Sequence, residues 1–372
     1  MSTYVDIHII QNIPPSCVNR DDSGSPKTAI YGGARRLRVS SQSWKRATRL
    51  YFDEVLNIDN LGIRTKRVLE VLTRRISEKA PELQDSALSA AEKVFKQAKI
   101  KLAVPRNKTD APFESTYLLF LSSSQVDRLA DLAIEAINEG TDPDAKAVKK
   151  ILKEDHAADV ALFGRMVADD TDLNVDAACQ VAHALSTHAA ATEYDFFTAV
   201  DDAKQQSEEE DAGAGMMGTV EFSSATVYRY ATVNFDMLVS NLGHREAALH
   251  ALDAFITAFC KSMPTGKQNT FANRTLPEAI VVTIRDDQPV SLVGAFETAI
   301  QSNVSSGYLA GSVTALKNHA QDIERNFGLS PVASFVVSLR DSDAVAELGD
   351  RVVFSDLVPQ VLTHLPASEE LA

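Results

Sequence analysis

The sequence predicts an α+β fold with a helical insertion, and three observations support this prediction. Residues 4–11 are β-branched and partly alternating, which favours a strand, and a helical pattern follows over 41–56. A run of helical patterns then fills 59–181, and strands alternate with helices after residue 219. The two outer regions indicate helices packed on one face of an antiparallel sheet, for which a ferredoxin-like core of the RRM type is the simplest arrangement.

The first predicted helix, over 41–56, is amphipathic. Trp44, Thr48, Tyr51 and Val55 fall on one face at helical spacing, so we expect them to face the core. Together with the preceding strand, this helix gives the chain a β-loop-α opening.

Five helices are predicted in the inserted block. Val68, Leu72 and Ile76 face inward in the first, and Ser124, with Asp127 three residues later, opens the third in a pattern close to a capping box. The five predicted helices cover 64–79, 86–100, 123–138, 144–153 and 175–188.

The second half of the chain begins with an acidic segment of small residues. Residues 202–218 have no apolar period and predict a mobile loop. Strands are predicted after it at 219–235, 279–285 and 333–339, and helices at 244–262, 312–326 and 355–364.

The composition is that of an ordinary globular protein. The chain has 372 residues, 45% hydrophobic and 24% charged, enough for two lobes or one core with large insertions. No apolar run approaches the roughly 20 residues that span a bilayer, and the N-terminus lacks the features of a signal peptide. We therefore expect a cytoplasmic protein with no membrane partner. Cys17, Cys179 and Cys260 lack zinc-site spacing and are expected to be reduced.

The charge is unevenly distributed along the chain. The net charge is −14, yet residues 20–49, here called the basic segment, hold eight basic and two acidic side chains, a local charge of +6 that leaves −20 for the rest. Such a block can focus a positive potential at a groove while the remainder stays acidic. A solvated basic surface is the alternative.

Glycines and arginines alternate with polar residues in the basic segment. Gly32 and Gly33 permit backbone geometry or close approach that side chains forbid. Arg35, Arg36 and Arg38 follow directly, so cations lie next to a tight turn.

The same segment opens the first helix. Ser40 or Ser41 is predicted to cap it, which leaves N–H groups at the positive end of the helix dipole for an anion. Gln42 adds an amide, and Lys45 and Arg49 share one face at i, i+4. These groups can grip successive phosphates and sugars without reading bases. A capped amphipathic helix with solvated cations would have the same pattern.

The string N-R-D-D followed by G-G-x-R-R-x-R-x-S-S-Q-S-x-K-R-A resembles the CasC family, the backbone subunit of the type I-E CRISPR Cascade surveillance complex. Further patches continue the resemblance at Gly164-Arg165-Met166, Ser186-Thr187-His188, residues 195–202, residues 218–224, Tyr228-Arg229-Tyr230 and Gly266-Lys267-Gln268.

The resemblance implies a hand-shaped protein with an RRM-like palm, helical fingers and a thumb hairpin. The palm would comprise 1–58 and 223–372, the fingers 59–181, a palm connection 182–195 and the thumb 196–222. Copies would stack along a crRNA with other Cascade subunits and present the guide for pairing with target DNA in antiviral defence. No catalytic residue, metal or cofactor is implied.

The resemblance also implies contacts. Met166, with Phe196 and Phe197 of a neighbouring thumb, would clamp a displaced nucleotide, since large apolar side chains stack on any base. The remaining implied RNA contacts are Asn19, Arg20, Lys27, Arg35, Arg38, Ser40, Gln42, Lys45, Arg46, Arg49, Lys267 and Gln268.

A ridge of lysines is predicted on the helix at 144–153. Lys146, Lys149, Lys150 and Lys153 recur at helical spacing. The resemblance implies that finger lysines near this motif form a track for double-stranded target DNA. Such contacts do not depend on the DNA sequence. A solvated helix face fits the spacing equally well.

Paired carboxylates leave an enzymatic alternative open. Asp21-Asp22 and Asp169-Asp170 suggest a metal-dependent ribonuclease associated with the guide, most simply through Asp21 and Asp22. Adjacent residues in an extended segment point apart, however, so the sequence favours a protein that is not an enzyme. The acidic run at 208–211 would repel RNA, so it is expected to point outward or to meet a basic patch on a neighbouring copy.

Overall fold

The structure of the protein, a computed structural model, describes residues 2–56, 61–104, 112–154, 156–167, 170–199, 216–305, 307–340 and 343–366. The strands are β1 (Tyr4–Ser16), β2 (Thr28–Tyr31), β3 (Ala34–Val39), β4 (Gly62–Thr65), β5 (Leu102–Ala103), β6 (Glu114–Ser115), β7 (Leu119–Ser122), β8 (Cys179–Val181), β9 (Ala184–Ser186), β10 (Glu193–Ala199), β11 (Met216–Asn234), β12 (Ala279–Arg285), β13 (Ala333–Ser338) and β14 (Asp350–Arg351). The helices are α1 (Ser41–Val55), α2 (Val68–Lys79), α3 (Gln84–Gln97), α4 (Ser123–Glu139), α5 (Ala145–Lys153), α6 (Ala158–Phe163), α7 (Phe235–Leu242), α8 (Arg245–Lys261), α9 (Gln268–Phe271), α10 (Leu309–Phe327), α11 (Asp343–Ala346) and α12 (Phe354–Thr363).

Within the described residues, ten strands form one mixed sheet built around β1. β11 and β12 flank β1 and run antiparallel to it, with Ile9 opposite Arg229 on one side and Ile280 on the other. The order is β14-β13-β12-β1-β11-β9-β3-β2, and β8 and β10 also pair with β11. The chain thus passes from β1 through α1 to β8 and β9, and from β11 through α8 to β12.

Alternation along β1 builds a core on each face of this sheet. Val5, Ile7 and Ile9 point to one face, where they pack with α1, α6, α7, α8 and α12. Ile10 points to the other face, which α10 and α11 cover. The prediction that helices cover one face only is therefore wrong. Both sets of side chains of β1 are buried, so both faces need cover.

A separate core joins helices α2, α3, α4 and α5. Val68, Leu72 and Ile76 are buried in it, as predicted. Ser122 caps α4: its side chain accepts from the N–H of Gln125, while the Gln125 side chain accepts from the N–H of Ser122. This capping box lies two residues before the predicted one. The boundaries of the palm, fingers and thumb stay a prediction.

The predicted helix at 175–188 is wrong, because β8 and β9 occupy this segment. Both strands pair with β11, and β9 also pairs with β3. Alanine-rich sequence favours a helix locally, but hydrogen bonds to the neighbouring strands decide the structure here. In α1, Phe52 is buried in place of the predicted Val55, which is exposed.

Strands β10 and the start of β11 form a two-stranded arm, with Glu193 opposite Phe222 and Ala199 opposite Met216. The predicted acidic loop falls largely outside the described residues, as does its run at 208–211, and its last three residues belong to β11. Among the described helices, none has the length and apolar character needed to cross a lipid bilayer.

Candidate nucleic-acid interface

Side chains from other segments hold the first turn of α1. Ser40 caps the helix, as predicted, and accepts from the N–H of Ser43 at 3.3 Å. The N–H of Ser40 donates to Asn19 Oδ1 at 2.8 Å, and the N–H of Ser41 donates to His183 Nδ1 at 2.9 Å. The predicted anion site on free N–H groups is therefore wrong for Ser41 and Ser43, whose N–H groups already have acceptors in the protein.

The basic segment continues backward from α1 as a hairpin of β2 and β3. Gly32 and Gly33 form its turn with φ of +55° and +71°, in the left-handed region that favours glycine. Arg35 is exposed on β3, whereas Arg36 is fully buried. The Arg36 guanidinium donates to the carbonyls of Tyr31, Ser186, Phe296 and Glu297.

Lys27 and Arg38 lie close to the start of α1. Burial lowers the pKa of His183, and the positive charges of Arg38 and Lys27 lower it further. A neutral His183 can accept the N–H of Ser41, so these cations help to keep the helix start in place.

Two clefts lie along the outer side of α1. The first, of about 580 Å³, is lined by the cations of Arg20 and Arg46 and the carboxylates of Asp21 and Asp22, together with Asn19, Pro264, Thr265 and Gly266. The second, of about 760 Å³, is lined by Gln42, Lys45, Arg46, Arg49 and Met166. Because Arg46 lines both, we treat the clefts as one feature, the α1 groove. The structure thus brings seven predicted RNA contacts to one surface.

Aromatic rings hold two cations in the second cleft. Lys45 Nζ lies 5.7 Å from the ring centroid of Phe163, and the Arg49 guanidinium carbon lies 4.6 Å from that of Phe120. Arg49 Nε also lies 3.4 Å from Asp159 Oδ2. Burial raises the pKa of Asp159 to about 6, against the attraction of Arg49. These contacts fix the two cations while leaving their outer sides on the groove.

A tight loop brings Gly266 to the first cleft, and Lys267 follows it in the chain. A Cβ on Gly266 would lie 2.3 Å from the carbonyl oxygen of Val18, so only glycine allows this approach. Burial raises the pKa of the Cys17 thiol, and the positive charges of Lys267 and then Arg20 oppose that rise. Both cations therefore lie near Cys17. Gln268 follows as an exposed residue of α9.

The predicted clamp residues are exposed, but two of them point apart. Met166 is 78% exposed at the second cleft. Phe196 and Phe197 are neighbours on β10 and so lie on opposite faces of the arm. Phe197 covers Gly218 on β11, where a Cβ would meet its ring at 2.6 Å.

The sequence reasoning missed several residues at these surfaces. Arg64 of β4 is exposed and lines the second cleft. Tyr194 and Met217 are exposed on the same face of the arm as Phe196. Tyr194 lies two residues before Phe196 on β10, and Met217 pairs with Thr198, which lies two residues after it. Period-two alternation within 193–199 was the signal that could have identified this face.

The predicted lysine ridge on α5 is interrupted. Lys149 Nζ lies 2.6 Å from Asp170 Oδ2, in an ion pair that raises the pKa of Lys149 and lowers that of Asp170. Lys146, Lys150 and Lys153 are exposed. Lys149 thus differs from the other three lysines because a carboxylate holds it, and the contacts of this ridge with DNA stay a prediction.

The paired carboxylates have different surroundings. Asp21 Oδ1 accepts from the N–H and hydroxyl of Ser23 and from the N–H of Ser25, which lowers the pKa of Asp21 and closes a tight turn. Asp22 is exposed. Asp169 lies outside the described residues. Within the part of the chain that the structure describes, no three His, Cys, Asp or Glu side chains form a group that could hold a metal ion.

The fold and the groove define the class: a mixed α+β protein with a cationic groove along one helix. A family model for CT1975-like proteins, Cas_CT1975, matches residues 5–360, and the chain belongs to this family. This match confirms the family resemblance drawn from the sequence motifs, whereas the assignment to type I-E stays a prediction.

Two solved structures are similar over nearly the whole chain. One is a chain of a "CRISPR RNA-guided surveillance complex, pre-nicking", with 36% identity and a TM-score of 0.86, covering 97% of this chain and 99% of that chain. The other belongs to a "CRISPR RNA-guided surveillance complex", with 30% identity, a TM-score of 0.76 and coverage of 97% and 100%. No curated protein matches the sequence.

Proposed function

We propose that this protein binds crRNA as a repeated backbone subunit of a type I-E CRISPR surveillance complex, Cascade. The observation that carries the proposal is the α1 groove, in which Arg46 joins a first cleft, lined by Arg20 and two carboxylates, to a second cleft lined by further cations. A single-stranded polyanion needs cations spaced along a track, and base-independent contacts suit a guide of any sequence. The two similar surveillance-complex structures supply the biological setting.

The sheet order supports an RRM-like palm as part of this proposal. In a ferredoxin-like core the first strand lies between the third and fourth, and the second strand follows the third. Here β1 would be the first strand, the pair β8 and β9 the second, β11 the third and β12 the fourth. They lie side by side in the order β12, β1, β11 and then β8 and β9. α1 and α8 pack on the same face. The fingers would then be inserted between α1 and β8, and the thumb between β9 and β11.

The assembly is the finer part of the proposal. Copies would stack along the crRNA and contact other Cascade subunits in the cytoplasm, with the arm reaching toward a neighbouring copy. Lys146, Lys150 and Lys153 would contact target DNA. We propose no catalytic role: the carboxylate of Asp21 closes a turn within its own loop.

The direct test is RNA binding by groove variants. Purified protein is titrated with a labelled single-stranded RNA at several salt concentrations. Arg46→Ala should weaken binding and reduce the slope of log affinity on log salt by about 0.7, the value for one phosphate of a single strand. Arg325→Ala, an exposed arginine of α10 on the opposite face of the sheet, is the matched control. Equal affinity of both variants and wild type would refute the groove.

The same preparations distinguish a binding subunit from a ribonuclease. A backbone subunit should protect RNA in evenly spaced footprints and leave it intact in Mg²⁺. Cleavage at spaced positions that is lost in Asp22→Ala would favour the nuclease instead.

A further inference from the structure

Arg229 lies beneath the α1 groove inside the protein. Arg229 is on β11, opposite Ile9 of β1, so its side chain points to the face of the sheet that α1 covers. Its guanidinium carbon lies 3.6 Å from the ring centroid of Trp44 on α1 and 4.5 Å from that of Phe259 on α8. The side chain therefore fills the space between the sheet and the groove helix.

The charge of Arg229 is not neutralised by a carboxylate within the described residues. Nη1 donates to Gln11 Oε1 at 2.6 Å and Nη2 to the carbonyl of Phe259. Within the described residues, Arg229 Nε has no hydrogen-bond partner, and Trp44 Nε1 has none either. Arg229 is only 1% exposed. Burial lowers its pKa to about 9, so it remains charged at neutral pH.

Stability alone does not account for an arginine at this position. Taking a guanidinium out of water without an anionic partner costs free energy, and a hydrophobic side chain of similar volume is often at least as stable. Another buried arginine at the groove, Arg165, is likewise held by backbone carbonyls. Arg285 differs, because it lies on the opposite face of the sheet and pairs with Asp6 at 3.4 Å.

We propose that Arg229 is a positioning residue for RNA binding, which fixes α1 through Trp44 and adds a buried positive charge to the potential of the groove. This inference rests on the proposed function. A phosphate across α1 would lie about 10 Å away, one helix diameter. At an effective dielectric constant of about 20, one charge at that distance changes affinity by about tenfold.

Two substitutions test the charge. Arg229→Met keeps the volume and removes the charge, so RNA affinity per folded molecule should fall about tenfold. The slope of log affinity on log salt should stay at the wild-type value, because Arg229 releases no counterion from a phosphate. Arg229→Lys keeps the charge and should bind within about threefold of wild type, well short of that tenfold loss.

Controls separate this inference from simpler outcomes. Arg325→Met makes the same change in net charge on the far side of the sheet and should leave affinity unchanged. Circular dichroism and thermal melting establish that each variant is folded. Wild-type affinity in folded Arg229→Met would overturn the inference while the proposed function stands, whereas wild-type protein that binds no RNA would overturn both. If Arg229→Met does not fold, Arg229→Lys decides, and a tenfold loss in it would refute the role of charge.

Discussion

The ion pair between Asp159 and Arg49 makes a quantitative prediction about stability. Asp159 is 2% exposed on α6, and its carboxylate accepts from the N–H of Gly62 and contacts Arg49. Burial raises its pKa from 3.8 to about 6, and the attraction of Arg49 only partly opposes this rise. Asp159→Asn keeps the shape of the side chain and an oxygen for Gly62 but removes the titration.

The sign follows from the direction of the shift. Because the folded-state pKa lies above the unfolded value, the folded protein holds the proton of Asp159 more tightly than the unfolded chain. This carboxyl therefore adds stability at low pH, and the contribution is lost as pH rises through about 6. Between about pH 5 and about pH 7.5 the loss amounts to about 1.4 kcal/mol. The Asn variant should gain that much on wild type over the same interval.

Urea unfolding of both proteins at several pH values measures this difference. Groups that titrate in both, such as His8, cancel when the two free energies of unfolding are subtracted. Asp159→Asn should also strengthen RNA binding at neutral pH, because Arg49 loses its internal anion and can face a phosphate. A free-energy difference that stays constant from about pH 5 to about pH 7.5 would refute the reasoning.

Three other predictions concern buried or strained positions. Burial lowers the pKa of His8 to about 3, so the free energy of unfolding should fall below about pH 6.5, by about 2 kcal/mol at pH 5. His8→Gln should remove this loss, as measured by urea unfolding. An unchanged pH profile in the variant would contradict this prediction. Gly32→Ala places a Cβ 1.6 Å from the carbonyl oxygen of Glu297 and should cost at least about 2 kcal/mol. Gly33→Ala, with nothing within 4 Å, should cost only about 1 kcal/mol in the same assay, and equal losses would argue against the clash. Ala272 has φ of +47°, so Ala272→Gly should raise stability by about 1 kcal/mol, seen as a higher melting temperature and refuted by a lower one.

The sequence predicts a helix or strand well when its pattern of apolar and polar residues has a single physical cause. The strand β12 falls at 279–285 as predicted, since a continuous apolar run between polar turns fits a strand buried on both faces. The helix predicted at 175–188 was wrong because alanine and leucine favour a helix locally, while the strand pairing with β11 depends on residues far along the chain. No local period reports that pairing.

The candidate site divides in the same way. The cations of α1 were predicted because their spacing is local to one helix. The contact of His183 with Ser41 and the stack of Arg229 on Trp44 join residues more than a hundred positions apart, and nothing in their local sequence indicates it. The opposite orientations of Phe196 and Phe197 follow from strand geometry, because adjacent residues on a strand face opposite ways, and their contacts with RNA stay a prediction.

In the proposed function, the uneven charge would orient RNA toward the groove as well as help to hold it there. The basic segment carries +6, whereas the rest of the chain carries −20 in total despite local cations such as the exposed lysines of α5, so a polyanion is attracted chiefly to the basic segment. Binding at the groove then gains selectivity from the acidity of the other surfaces, and the buried charge of Arg229 strengthens the groove without widening the basic surface. In the proposed function, an acidic protein holds RNA along one track because the position of its cations matters more than its net charge.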